Sequence, residues 1–172
     1  MEFQNKILEK VNEMLAVRGE AKCEEHECTA GRLFVNARQI IFFTFFDHAK
    51  GEGKFVTAHL KAVESALVAF GKNRAIIICR DVAPGMNETL NMDKQRFEVH
   101  SEPEKLLIGN LNKHILVPKH ILLTPEEEKK LPYKREHLPK ILSSDPIVQY
   151  NGWSSGVVKI EAKDGIVYRV IT

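Results

Sequence analysis

The sequence predicts a protein of the α/β to α+β class in two modules: a helix-covered sheet over residues 1–109, then a small α+β domain over 110–172. Three observations carry this. Two apolar runs of strand length, at 40–46 and 75–79, alternate with segments of helical periodicity. Composition changes near residue 110: five of the seven prolines lie beyond it, and the formal charge moves from −1 over residues 1–109 to +3 over 110–172. Finally, Lys163-Asp164-Gly165 separates two β-branched runs, and Asp-Gly in that setting is a strong hairpin signal. A chain of 172 residues has room for one domain or two small ones.

In the first module, Phe3, Ile7, Leu8, Val11, Met14 and Leu15 fall on one stripe of a 3.6-residue period. Gly19 follows where a helix end favours a left-handed residue. Arg38 to Phe46 is β-branched and aromatic, as a buried strand requires. Lys54 to Phe70 returns to the helical period through Val56, Leu60, Val63, Leu67 and Phe70, and Gly71 closes it. Ala75–Cys79 reads as a second buried strand, Asp81–Gly85 as a loop, and Phe97–His100 as a short alternating strand. Ser101-Glu102-Pro103-Glu104 has the spacing of a capping box before Lys105-Leu106-Leu107.

The second module is more broken. His114 to His120 reads as a strand that Pro118 confines to a sheet edge or ends. Thr124-Pro125-Glu126-Glu127 is a helix start, with Thr as N-cap and Pro at the first helical position. Pro132 ends that helix early. Two Pro-led segments follow, Leu138–Ile141 and Asp145–Tyr150, before the hairpin of Val157–Ile160 and Ile166–Val170.

Several functions are set aside. No apolar run approaches the roughly 18 residues that span a bilayer, and no targeting segment is visible in Met1-Glu2-Phe3, so a soluble protein inside the cell is expected. A net charge of +2 leaves no footprint for autonomous nucleic-acid binding. The three cysteines suit a reducing compartment and not a disulfide framework. Cys23, His26 and Cys28 lie close together, but a structural zinc site needs four ligands and no second pair exists; the segment reads as a solvated acidic loop. Cys79 falls in a predicted buried strand. His114 and His120 would share a face of an unbroken strand, and Pro118 spoils that register. Gly51-Glu52-Gly53-Lys54 lacks the glycine spacing and the Ser/Thr of a phosphate loop. Asp47-His48 and Ser143-Ser144-Asp145 lack the flanking elements that position a catalytic group. The expectation is no active site, no metal and no cofactor. What remains is a series of rigid Pro-led segments, suited to a surface preset for a partner.

The motif His114-Ile115-Leu116-Val117-Pro118-Lys119-His120 is followed in order by Thr124–Glu127, Leu138–Ile141, Asp145-Pro146-Ile147 with Tyr150 and Gly152, Val157–Ile160, and Tyr168-Arg169. Over residues 110–172 this resembles the fifth subunit shared by the eukaryotic nuclear RNA polymerases, whose C-terminal module corresponds to a small subunit of the archaeal RNA polymerase. The first 109 residues are only loosely similar to the jaw domain of the eukaryotic protein. Ser154-Ser155-Gly156 replaces the usual basic pair before glycine, and only Glu161–Gly165 remains of the longer family hairpin loop. These departures suggest a divergent version, encoded by a large DNA virus.

The resemblance implies a non-catalytic subunit of a multisubunit DNA-directed RNA polymerase, with no cofactor. Its C-terminal module would dock on the largest subunit and touch other polymerase subunits. Its N-terminal module, nuclease-like in fold, would form part of the lower jaw, meeting downstream DNA only in the assembled enzyme and no membrane. The partner-binding residues implied are His114, Val117, Pro118, His120, Pro139, Asp145, Pro146, Tyr150, Gly152 and Arg169. Tyr150 is the expected hot spot, because aromatic side chains with a polar handle concentrate binding energy at interfaces. The implied compartment is the nucleus for a cellular protein, and host cytoplasm, nucleus or virion for a viral one. A free-standing adaptor and a nuclease-fold enzyme are the alternatives.

Overall fold

The computed structural model describes residues 2–44, 53–93 and 95–172. They form two compact units, Met1–Ile108 and Gly109–Thr172. The first contains α1 (Glu2–Val17), β1 (Glu24–His26), β2 (Gly31–Val35), β3 (Ile40–Thr44), β4 (Lys54–Phe55), α2 (Thr57–Ala69), β5 (Ala75–Ile78), β6 (Asp81–Val82), α3 (Met86–Met92), β7 (Phe97–His100) and α4 (Pro103–Leu106). Its main sheet has the order β1-β2-β3-β5-β7. The β1-β2-β3 pairs are antiparallel, and β3-β5-β7 run parallel.

Every residue of β3 and β5 is buried, as continuous apolar runs dictate for central strands covered on both faces. Alternation divides their side chains. Ile40, Phe42, Ala75 and Ile77 join Leu60, Val63 and Leu67 of α2 in one core. The alternate set, Ile41, Phe43, Ile76 and Ile78, points to the other face. On α1, Ile7, Val11, Met14 and Leu15 are buried as the stripe requires, while Phe3 and Leu8 are half-buried. Gly31 opens β2 where a Cβ would strike the Phe43 carbonyl and the Phe42 ring, so only glycine fits.

A carboxylate buried at the edge of this sheet organises it further. Glu98 on β7 accepts from both terminal nitrogens of Arg18 (3.0 and 2.6 Å), from Nη2 of Arg74 (2.9 Å) and from His100 Nε2 (2.9 Å). Burial by itself would raise the Glu98 pKa. The His100 and Arg18 interactions outweigh it and hold the carboxyl well below the usual range.

The structure departs from the sequence expectations in several places. The second helix starts at Thr57, because Lys54-Phe55 pairs in parallel with Asp81-Val82. Those residues are therefore β6 and not part of a loop. The elements β1, β2 and α3 have no counterpart in the sequence pattern: two of these are five residues or shorter and the third has seven, too short for periodicity to announce. Ser101 is not the N-cap of α4. Glu102 holds that position without a side-chain cap, because Pro103 takes the first helical place. The expected strand end at 45–46, Asp47-His48, and Gly51-Glu52 lie outside the described residues.

The Cys23–Cys28 segment is not a solvated loop. Glu24–His26 is the edge strand β1, and both cysteines are half-buried. The Cys23 thiol, its pKa raised by burial, donates to Asn12 Oδ1 at 3.3 Å. His26 packs its ring 4.7 Å from Phe70, and Cys28 lies against the α2-side core. Among the described residues no three His, Cys, Asp or Glu side chains converge on a metal-sized site.

The second unit holds β8 (Lys119–Leu122), α5 (Pro125–Lys129), β9 (Lys140–Ile141), α6 (Pro146–Asn151), β10 (Val157–Ala162) and β11 (Gly165–Ile171), in a sheet ordered β8-β10-β11-β9. The β10-β11 hairpin forms, but its closing pair is Ala162–Gly165. Lys163-Asp164 is therefore the two-residue turn, and Gly165, at φ 139°, opens the return strand. Asp-Gly is not the turn centre, because the register sets Ile160 opposite Val167 and Glu161 opposite Ile166, which leaves Gly165 paired with Ala162. Ile141, Val148, Val158, Ile160 and Ile171 pack together in one core cluster, with Leu122 and Trp153 against it, and Leu138, Ile147, Tyr150, Val157 and Val170 are buried as well.

Candidate partner-docking surface of the second unit

Helix α6 is defined by its ends. Asp145 accepts from the Ile147 amide (2.9 Å) and Pro146 occupies the first helical position. Gly152 closes the helix at φ 69°, with Gly152 N donating to Gln149 O at 2.9 Å and Trp153 N to Val148 O at 3.1 Å. This is the doubly bonded glycine cap that only a left-handed residue makes cheaply. Tyr150 is 6% exposed. The expected hot spot therefore has its ring packed away and not offered, since its helix turns that face inward with Ile147 and Val148.

The expected strand from His114 runs differently. Leu111–Lys113 forms a 3₁₀ turn, and Val117 N donates to His114 O (2.9 Å), closing a second turn. Only after Pro118 does β8 begin. Proline has no N–H for the ladder, so the chain enters the sheet one residue later. The Leu116 amide donates to His114 Nδ1 at 3.3 Å, and His120 Nδ1 lies 2.7 Å from the Pro118 carbonyl. The two histidines thus serve separate local bonds. Asn112 and Asn151 exchange reciprocal amide hydrogen bonds, both 3.0 Å, which tie this entry segment to α6.

Strand pairing places the rest. His120 lies opposite Ile160, itself opposite Val167; Leu122 lies opposite Val158, itself opposite Arg169. Directly paired residues share a face, so His120 and Arg169 stand on the face of the core residues Val158 and Ile160. Arg169 is exposed and reaches the Lys140 carbonyl at 3.4 Å. Pro139, also exposed, accepts from the Val170 amide at 2.9 Å. The ten expected partner residues therefore divide into three groups: His114, Val117, Pro118 and His120 at the β8 edge; Pro139 and Arg169 at the opposite β9 edge; and Asp145, Pro146, Tyr150 and Gly152 shaping α6.

The helix α5 forms with its full capping box. Thr124 Oγ1 accepts from the Glu127 amide, and Glu127 accepts from the Thr124 amide at 2.8 Å. The backbone and side-chain bonds from Thr124 hold the Glu127 carboxyl below its usual range. Glu128 Oε1 accepts from the Val157 amide at 2.8 Å, fastening the helix to the start of β10.

Two residues that the sequence pattern does not single out are the most exposed large apolar side chains of the second unit: Ile115 at 92% and Leu116 at 82%. In the sequence they sit inside an apolar run that looks like a strand core. Tyr133, Leu142, Ile166 and Val167 of the same unit are exposed as well.

Residues 109–172, the second unit, match the family described as RNA polymerase Rpb5, C-terminal domain. A Methanothrix thermoacetophila protein named DNA-directed RNA polymerase subunit Rpo5 is 41% identical over 68 residues, covering 34% of this chain and 87% of that protein. The chain belongs to the Rpb5 family of RNA polymerase subunits.

Members from eukaryotes match further. A subunit rpabc1 of DNA-directed RNA polymerases I, II, and III from Dictyostelium discoideum is 39% identical over 108 residues, 58% of this chain and 55% of the relative. The corresponding Caenorhabditis elegans RPABC1 is 29% identical over 136 residues, 76% of this chain and 63% of the relative. That alignment is longer than the second unit, so Rpb5 likeness extends into the first. The chain spans somewhat over half the length of these two Rpb5 relatives.

Proposed function

We propose that this Rpb5-family chain is a non-catalytic subunit of a multisubunit DNA-directed RNA polymerase, docked on the largest subunit through its second unit. The single observation that carries the reading is the match over residues 109–172 to the Rpb5 C-terminal domain, on a unit that exposes Ile115, Leu116 and Leu142. The first unit, with its mixed five-stranded sheet, is assigned to a nuclease-like lower jaw near downstream DNA. Its formal charge of −1 over residues 1–109 supports contact with DNA only where the assembled enzyme holds it. The compartment follows the polymerase: the nucleus for a cellular enzyme, host cytoplasm, nucleus or virion for a viral one.

Purification of the tagged full chain from its native source, with peptide identification, tests the proposal. The two largest polymerase subunits should co-purify in near-stoichiometric amounts. Their absence, with the chain recovered folded, removes the polymerase assignment and favours a free-standing adaptor.

A further inference from the structure

We infer that β8 is a docking edge: an extended segment of the largest polymerase subunit adds to it as a fifth strand, with Ile115 and Leu116 as the apolar prong beside it. The inference rests on the polymerase assignment above and specifies how the partner is held.

Among the described residues β8 is the outermost strand of its sheet, paired on one side only, to β10. The Leu123 amide donates to Val157 O, so odd-numbered residues turn their backbone groups toward β10. By strand alternation the N–H and C=O groups of His120 and Leu122 point outward. Edge strands are ordinarily blunted by proline, inward charges or bulges. Here Pro118 precedes the strand, and the one charged residue within it, Lys119, is drawn to Glu161 of the neighbouring β10.

The adjoining segment is prepared for the same task. The turn from His114 to Val117 and the reciprocal Asn112–Asn151 bonds fix the backbone that presents Ile115 and Leu116, which lowers the entropy lost on binding. Main-chain hydrogen bonds to an edge supply affinity, and neighbouring apolar pockets or prongs supply specificity.

Charge selects the occupant. Exposed Lys113 and His114 lie just ahead of the edge, Lys119 is shared with Glu161 of β10 at 3.7 Å, and exposed Glu126 and Glu127 lie beyond its end. The fitting partner is an apolar extended segment that carries acidic residues where it passes Lys113 and His114.

The full chain co-expressed with the largest polymerase subunit of the same source tests this. In the complex, the amides of His120 and Leu122 should exchange hydrogen at least about tenfold more slowly than in the free chain. The double variant Ile115→Asp/Leu116→Asp, whose side chains are solvent-exposed and so leave folding intact, should weaken capture about tenfold or more. Failure to form any complex would overturn the polymerase assignment and this inference with it. A complex in which those two amides stay unprotected, or in which the double variant binds like the wild type, would overturn strand addition at β8 while leaving the assignment standing.

Discussion

The two units solve the folding problem by different means. The first buries whole strands: β3 and β5 have no exposed residue, and phenylalanines 34, 42, 43 and 55 are all within 2% of full burial. The second buries ten apolar side chains, fewer for its length than the first, and leans more on local chemistry: the Thr124 capping box, the Asp145 cap, the Gly152 closure and the Lys163-Asp164 turn. Apolar burial contributes about 25 cal/mol per Å² without regard to direction. Caps and turns contribute about 1 kcal/mol apiece and specify where the chain turns. A thin core therefore leaves apolar side chains over for a partner, and the second unit keeps Ile115, Leu116, Leu142 and Ile166 outside.

If that contrast is right, mutations should rank accordingly. The largest effect belongs to Phe42→Ala, which empties a fully buried ring site between Phe55 and His59. It should cost about 3–5 kcal/mol in denaturant titration. A loss below about 1 kcal/mol would mean the sheet relaxes around the cavity.

Glu98→Gln should follow, at about 3 kcal/mol near neutral pH, because it leaves Arg18 and Arg74 facing a neutral amide. The pH dependence has a definite sign. The folded Glu98 pKa is depressed, so its stabilisation is complete above the unfolded value of about 4.3 and drains away as pH falls toward the folded one. The variant should lose less stability than the wild type on acidification from about pH 5 to 3. Parallel acid profiles would show that Glu98 is not linked to folding.

In the second unit the effects should be smaller and local. Gly152→Ala forces a Cβ into φ 69° and should cost about 1–2 kcal/mol, read as a lowered Tm of the full chain. Asp145→Ala should cost about 1 kcal/mol by losing the bond to the Ile147 amide. Were Asp145→Ala to rival Phe42→Ala, the distinction between a core-built and a cap-built unit would collapse.

Much of this is legible in the residues themselves. Continuous apolar runs announce β3 and β5, and the Thr-Pro-Glu-Glu and Asp-Pro starts announce α5 and α6, because those signals act within a few residues of chain. The ordered motifs beyond residue 110 are specific enough to point to the Rpb5 family. Short elements escape: β4 and β6 are two residues each and exist only because each finds the other.

What sequence alone determined was local: helix caps, turn residues, the period of each apolar stripe and the family. Only the tertiary structure decided which apolar side chains were spent. Tyr150 reads as the interface residue and Leu116 as part of a strand, yet Tyr150 is 6% exposed and Leu116 82%. Glu98 likewise reads as an ordinary strand glutamate until Arg18, eighty positions away, closes on it. Burial and charge pairing depend on neighbours that the folded chain brings from far along the sequence, and no local pattern encodes them.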